Sequence, residues 1–127
     1  MITTESRAEH YRTVFSNGGQ RAVADATAEH GGAGAGFRPH ELLEAALATC
    51  VNMTVRAYAE AHGILVGEVR TRVELDRSNA NAAVFHYGVE IDGATPEEKE
   101  RLLRAARACP VRKTLARAIR FEGPGEA

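Results

Sequence analysis

The sequence predicts an α+β fold in which two β-hairpins flank one long helix. Residues 10–26 and 68–91 alternate apolar and polar side chains with the period of a strand, and each stretch contains turn residues. Between them, residues 39–62 run without a turn signal and have the composition of a helix. Two shorter helices follow, so we predict a single domain over residues 1–127.

Charge and hydropathy narrow the classes of function. The 127 residues include 16 Lys and Arg against 17 Asp and Glu, a net charge of -1, so no overall field attracts nucleic acid or an anionic membrane. The N-terminus has no apolar segment typical of a signal peptide, and no apolar run approaches membrane-spanning length. We expect a soluble, cytoplasmic protein with neither a nucleic-acid nor a membrane partner.

The N-terminal part is predicted to form a hairpin and a flexible loop. Residues 10–16 alternate loosely, residues 17–19 (Asn-Gly-Gly) are typical of a turn, and residues 20–26 form the second strand. Residues 28–38 are rich in glycine, but their spacing matches neither a phosphate-binding loop nor a dinucleotide fingerprint. We therefore expect a flexible connection there.

The central helix is predicted to run from Pro39 to His62. Proline suits a first helical turn, Glu41 and Glu44 complement the helix dipole, and Gly63 ends the helix. Its apolar residues cover most of the circumference, which is typical of a buried helix. A chain of this length is too short to surround such a helix, so we expect a partner subunit.

The remainder predicts a second antiparallel hairpin and two helices. Residues 68–75 and 85–91 alternate strictly on either side of the turn residues 78–81. A capping-box pattern at Thr95 opens a helix that we expect to reach about residue 108, and a short helix follows Pro110. Residues 120–122 are predicted to form a terminal strand.

The two cysteines are the candidate reactive groups. Cys109 directly precedes Pro110 and is the expected N-cap of the last helix, where free N–H groups and nearby basic residues favour a thiolate. Cys50 lies within the apolar helix and is expected to ionise poorly. Local chemistry alone thus favours Cys109 as the more reactive thiol, although either residue could equally be inert packing.

Two segments around the cysteines resemble the signature regions of the OsmC/Ohr family of osmotically inducible and organic hydroperoxide resistance proteins. They are RPHELLEAALATC, residues 38–50, and ACPVRKTL, residues 108–115. The resemblance implies an OsmC-like fold in an intertwined homodimer. It also implies a thiol peroxidase for apolar organic hydroperoxides, in which Cys50 becomes a sulfenic acid and Cys109 resolves it to a disulfide that a lipoyl-type dithiol reduces.

In that family an arginine and a glutamate support the first cysteine, and the resemblance places these roles on Arg21 and Glu41. Arg12 and Arg38 are alternatives to Arg21. His40 follows the helix-opening proline where the hydroperoxide-resistance subgroup has its glutamate, so Glu41 is displaced by one residue, about 100° around the helix. At this position Glu41 could instead only complement the helix dipole.

The histidines and cysteines show no spacing typical of a zinc site, and no pattern indicates a cofactor. Two alternatives to the peroxidase remain open from sequence. One is an OsmC-like dithiol sensor or reductase, and the other is a catalytically inert small-molecule-binding dimer in which Cys50 is a core residue.

Overall fold

The computed structural model describes residues 1–126, which form two compact units. The first comprises Met1–Leu43, and the second begins at Glu44 and includes the rest of the described chain. The content of helices and antiparallel strands confirms the predicted α+β class. The single domain expected from sequence stays a prediction, and we describe each unit separately.

The first unit contains a three-stranded antiparallel sheet. Its strands are β1 (Thr3–Ser6), β2 (Thr13–Ser16) and β3 (Arg21–Ala24), in the order β1-β2-β3. The predicted hairpin corresponds to β2 and β3, with shorter strands than expected. Strand β1 was missed because its four residues are all exposed, and such a strand has no alternating apolar pattern to reveal it.

The glycine-rich segment is folded around the side chain of Asp25, which is only 4% exposed. Its carboxylate accepts hydrogen bonds from the backbone N–H groups of Ala26 at 2.8 Å, Ala33 at 3.2 Å and Ala35 at 3.0 Å. A side chain at Gly32 would overlap the carbonyl of Ala26, so glycine is required there. The expected flexible connection is therefore an ordered loop held by one buried carboxylate.

Helix α1 spans Pro39–Ala61, close to the predicted bounds. At its start, a carboxylate oxygen of Glu41 accepts hydrogen bonds from the backbone N–H of Arg38 at 2.9 Å and from its Nε at 3.1 Å. At its end, Gly63 adopts the left-handed conformation (φ 64°) that is accessible to glycine.

Only one face of α1 is buried within the described chain. The buried side chains recur every four residues, as expected for one helical face: Leu47, Val51, Val55 and Ala59. Met53, on another face, is 69% exposed. The helix is thus not enclosed on all sides as its composition predicted, because one chain supplies packing partners for a single stripe.

The second unit pairs strand β4 (Val69–Asn79) with strand β5 (Ala82–Ile91) in an antiparallel hairpin. The hairpin is longer than predicted because Asp76 and Asn79 also pair, on either side of an irregularity in the register. Side chains of α1 bond the backbone of β4: Asn52 Nδ2 donates to the Val69 carbonyl at 2.7 Å, and Glu44 accepts from the Leu75 N–H at 2.9 Å.

Two helices complete the second unit. Helix α2 (Pro96–Ala106) begins with the predicted capping box between Thr95 and Glu98, and helix α3 (Pro110–Leu115) has Cys109 as its N-cap. The strand predicted at residues 120–122 is wrong, because these residues form no β-pairing in the described chain. Within residues 1–126, none of the helices has both the length and the apolar character that crossing a bilayer requires.

The replacement Asp25→Asn should loosen the loop, because the amide places an NH₂ group where a second acceptor is needed. We expect faster backbone amide exchange at Ala33 and Ala35, measured by NMR, with no change in the matched variant Glu29→Gln, whose side chain is exposed nearby. Unchanged exchange in Asp25→Asn would contradict a role for this carboxylate.

The difference in thermal stability between the wild type and Asp25→Asn should depend on pH. The hydrogen bond from the Ala35 N–H is the largest influence and lowers the pKa of Asp25; burial opposes it, and the bonds from Ala33 and Ala26 reinforce it. A lowered folded-state pKa means that the stabilisation is present above the ordinary carboxyl pKa of about 3.9 and is lost as the pH falls through the folded value. Thermal melts should therefore separate wild type from Asp25→Asn at neutral pH and converge in acid.

Candidate functional site

The two cysteines lie together in the second unit. Cys50, on α1, is partly buried and packs against the hydrophobic core, whereas Cys109, at the start of α3, is 0% exposed. Both are free thiols, and their side chains are within hydrogen-bonding range of each other. The structure thus places the two predicted redox residues close to each other.

Hydrogen bonds to the Cys50 sulfur favour its thiolate. Burial raises the pKa of this thiol, but hydrogen bonds from the Cys109 thiol, the Val111 backbone N–H and the Thr54 hydroxyl together outweigh that effect, so the pKa is lowered. Such bonds stabilise the ionised form of a group because they are stronger when the acceptor carries a charge. The surroundings of Cys50 therefore favour ionisation of its thiol.

Cys109 is shifted in the opposite direction. Burial raises its pKa most, and donation of its S–H to Cys50 raises it further, while backbone N–H groups of Arg112 and Val111 lower it only in part. These influences favour the protonated form of Cys109. The shifts run opposite to the local ranking of the two cysteines from sequence and agree with the order of roles implied by the family resemblance.

The reason for this difference lies in tertiary contacts. Helix α3 does follow Cys109 as its N-cap, as predicted, and the nearby N–H groups of Arg112 and Val111 lower the pKa of the Cys109 thiol. However, the Val111 N–H also lowers the pKa of Cys50 on another helix. The start of α3 therefore favours ionisation of both thiols, and burial is the largest influence that raises the pKa of Cys109.

A pocket of about 220 Å³ is lined in part by residues that lie near the two cysteines in sequence. It is lined by residues from α1, β5 and the end of the chain's last helix: Leu47, Phe85, Tyr87, Arg112, Leu115 and Ala116. Leu47 is three residues before Cys50 and Arg112 is three residues after Cys109, so the pocket lies within about one helical turn of both thiols. Its walls are mostly apolar, and its one formally charged side chain is Arg112.

Two larger concavities, of about 620 Å³ and 530 Å³, lie along the β4–β5 hairpin. Their walls come only from the hairpin and include charged side chains such as Glu74 and Arg72. Neither is lined by a residue of α1 or α3. We assign the candidate site to the smaller pocket because its lining includes residues of both helices that flank the cysteines, Leu47 of α1 and Arg112 of α3.

Arg21 and Glu41 belong to the first unit, where the structure gives each of them a local environment. Arg21 is an exposed residue at the start of β3 and is opposite Ser16 in the sheet. Glu41 is bonded to Arg38, whose backbone N–H and guanidinium lower the pKa of its carboxyl group. This arrangement holds the carboxylate at the start of α1, where the alternative role of Glu41, complementing the helix dipole, would act. Their roles beside Cys50 stay predictions.

Two groups at the site were not identified from sequence. Thr54, one turn after Cys50, donates its hydroxyl to the Cys50 carbonyl at 2.8 Å and lies close enough to the sulfur to lower its pKa. The second group is the Val111 N–H. The spacing of Thr54 from Cys50 was visible in the sequence, since residues four apart are neighbours on a helix. The Val111 contact required the position of α3 against α1.

This arrangement is suited to reversible thiol chemistry. A thiolate and a protonated thiol in contact can be oxidised to a disulfide once the sulfur atoms approach to about 2.05 Å. The lowered pKa of Cys50 favours attack by its sulfur, and the raised pKa of Cys109 favours its protonated form.

Solved structures share this fold at low sequence identity. An osmotic stress induced and detoxification response protein from Psychrobacter arcticus has a TM-score of 0.74 at 19% identity, over 89% of this chain and 85% of that chain. An OsmC-like protein from Mycoplasma pneumoniae has a TM-score of 0.71 at 22% identity, over 91% of this chain and 85% of that chain. An organic hydroperoxide resistance protein OsmC from Legionella pneumophila has a TM-score of 0.67 at 20% identity, over 91% of this chain and 88% of that chain.

At such identities, the structural likeness establishes the fold. No curated protein sequence matches the chain at a significant level. The family model for OsmC-like proteins matches residues 31–122, a range that includes α1 with Cys50, the β4–β5 hairpin and both C-terminal helices. Because this match covers most of the chain, the protein belongs to the OsmC-like protein family.

Proposed function

We propose that the protein is a thiol peroxidase that reduces organic hydroperoxides through Cys50 and Cys109. The observation that carries this proposal is the pair of neighbouring thiols with opposite pKa shifts, lowered at Cys50 and raised at Cys109. Structural neighbours named organic hydroperoxide resistance proteins support it, although their identity to this chain is low.

The reaction proceeds in three balanced steps. The Cys50 thiolate attacks the distal oxygen of the hydroperoxide, the O–O bond breaks, and a proton converts the leaving alkoxide to an alcohol while Cys50 becomes a sulfenic acid. The Cys109 thiol then attacks this sulfur, forms the disulfide and releases water. A dithiol reductant of the lipoyl type reduces the disulfide by exchange and is itself oxidised to a cyclic disulfide.

The surroundings of the thiols favour an apolar substrate and a reactive cysteine. The side chains of Leu47, Phe85 and Leu115 line the candidate pocket and suit the hydrocarbon part of a hydroperoxide. A catalytically inert binding protein would need no stabilised thiolate at Cys50, which argues for the peroxidase over that alternative. In a cytoplasmic setting, cellular dithiols would supply the reductant.

We also propose that the protein acts as a homodimer. The exposed face of α1 presents Met53 together with the small side chains of Ala46 and Ala57, and such an apolar helix face is normally covered by a partner. A second copy of the chain would complete the burial that the composition of this helix predicted.

Replacement of Cys50 by serine should abolish hydroperoxide consumption, because a serine hydroxyl is not ionised at neutral pH. Replacement of Cys109 by serine should allow one turnover and leave Cys50 as a sulfenic acid. We would measure cumene hydroperoxide consumption with a dithiol reductant, and the mass gain of one oxygen atom by mass spectrometry. Turnover that survives in Cys50→Ser would exclude the proposed nucleophile.

A matched pair of variants tests the hydrogen bond between the thiols. Alkylation by iodoacetamide follows the thiolate, so its rate at Cys50 should rise with pH through a lowered pKa. Cys109→Ala removes the donor, so we expect that profile to move to higher pH and the rate at neutral pH to fall several-fold. Cys109→Ser keeps a donor and should stay closer to wild type. Identical profiles for the two variants would show that Cys109 has no influence on Cys50.

The dimer is tested by a charge on the exposed face of α1. Met53→Glu should reduce the mass measured by analytical ultracentrifugation from that of a dimer to that of a monomer, because a carboxylate would be desolvated in the interface. Leu103→Glu is the control, since Leu103 is also an exposed apolar residue but lies on α2. A monomeric wild type, or a dimer that tolerates the charge at position 53, would refute this interface.

A further inference from the structure

The turn between strands β2 and β3 contains an asparagine followed by a glycine. The sequence has four asparagines, and Asn17 is the one that precedes glycine. The backbone nitrogen after an asparagine can attack the side-chain amide carbon, and a glycine at that position hinders the attack least because it has no Cβ. Asn17 and Gly18 are both exposed, so water reaches the amide group. The proposed peroxidase chemistry uses neither residue.

The folded turn polarises the side-chain carbonyl of Asn17. Its Oδ1 accepts hydrogen bonds from the backbone N–H groups of Gly19 at 2.9 Å and Gln20 at 2.7 Å. Two donors on one carbonyl oxygen withdraw electron density from its carbon and stabilise the oxyanion that forms when a nucleophile adds there, as in the oxyanion hole of an acyl-transfer enzyme. The turn thus both holds the amide group and activates it.

The attacking nitrogen has a hydrogen-bond partner of its own. The Gly18 N–H donates to the Ser16 Oγ at 2.9 Å, so the proton that must leave this nitrogen already has an acceptor. Gly18 has φ 100°, a conformation accessible to glycine, and a Cβ at this position would have no neighbour within 4 Å. The space around the reacting atoms is therefore open.

We propose that Asn17 is a site of spontaneous deamidation that the folded β2–β3 turn promotes. The Gly18 nitrogen forms a bond to the Asn17 Cγ, the Cγ–Nδ2 bond breaks, and ammonia leaves with the proton from the Gly18 N–H. Water then opens the cyclic imide at either of its carbonyl carbons, which gives aspartate or isoaspartate at position 17. No group is oxidised or reduced, and water is the sole co-reactant.

Either product changes the turn that leads into β3. A carboxylate replaces a neutral amide, so the turn gains a negative charge close in sequence to Arg21, the first residue of β3. In isoaspartate the main chain also becomes one methylene longer, and the pairing of Ser16 with Arg21 must shift to accommodate it. The modification therefore acts on the turn that positions a residue predicted to support Cys50.

A time course on the full chain in neutral buffer tests this site. Peptide mapping by mass spectrometry would follow the replacement of NH₂ by OH at each asparagine, and chromatography would separate aspartyl from isoaspartyl peptides. We expect conversion at Asn17 to be about tenfold faster than at Asn79, a ratio that corresponds to about 1.4 kcal/mol in activation free energy.

Asn79 is an internal control because it also lies in a hairpin turn. Its Oδ1 accepts one backbone N–H, from Asn81 at 2.8 Å, and the residue that follows it is an alanine. Equal rates at Asn17 and Asn79, or conversion at Asn17 without any isoaspartate, would overturn the proposal.

Denaturant separates the effect of the turn from that of the dipeptide. Guanidinium chloride above the unfolding midpoint keeps the Asn-Gly pair but removes the hydrogen bonds of the turn. We expect conversion at Asn17 to be several-fold slower in the unfolded chain at the same pH. A rate that is equal or higher after unfolding would show that the turn does not promote the reaction.

Two variants at position 16 test the hydrogen bond to the attacking nitrogen. Ser16→Ala removes the acceptor of the Gly18 N–H, whereas Ser16→Thr keeps a hydroxyl there. We expect several-fold slower conversion at Asn17 in Ser16→Ala and a rate close to wild type in Ser16→Thr. Faster conversion in Ser16→Ala would mean that this bond protects Asn17, which would overturn the inference that the turn promotes its deamidation.

Discussion

The buried stripe of α1 is the constraint on which the second unit depends. Leu47, Val51, Val55 and Ala59 recur every four residues, so they lie along one face and pack into a common core with residues of the hairpin and of α2. Fully burying each larger apolar side chain contributes about 1.5–3 kcal/mol. The same stripe sets the exposure of Cys50, which follows Leu47 by three residues and precedes Val51 by one. Cys50 therefore lies at the edge of the stripe, where it is partly buried and packs against the core.

The difference between the two thiols follows from their positions relative to that core. Cys109 is completely buried, and burial disfavours the charged form of an acid. Cys50 is also penalised by burial, but it receives hydrogen bonds from Cys109, from the start of α3 and from Thr54. Donation of the Cys109 S–H to Cys50 lowers the pKa of Cys50 and raises that of Cys109. Two cysteines of the same intrinsic acidity are in this way given opposite pKa shifts.

The polar groups at the edges of the apolar packing are satisfied by specific side chains. On α1, Asn52 and Glu44 bond the backbone of β4, which keeps the strand in register against the helix. In the first unit, the Asp25 carboxylate satisfies three backbone N–H groups of the glycine-rich loop. Buried backbone groups need such partners because an unsatisfied donor costs about 1–3 kcal/mol. These contacts define the loop and the strand more closely than hydrophobic packing alone could.

The sequence by itself determined the class of fold, the long helix, the second hairpin, the capping box at Thr95 and the start of α3 at Cys109. All of these depend on local periodicity, on turn residues or on helix capping, which act over a few residues. The family was also identifiable, because two cysteine motifs occur in one order of elements. Local patterns did not reveal β1, whose residues are exposed, or the ordered loop, whose hydrogen bonds come from Asp25 up to ten residues away. Only the tertiary structure decided which thiol ionises, because the burial of Cys109 and the bond from Val111 to Cys50 exist only when α3 packs against α1.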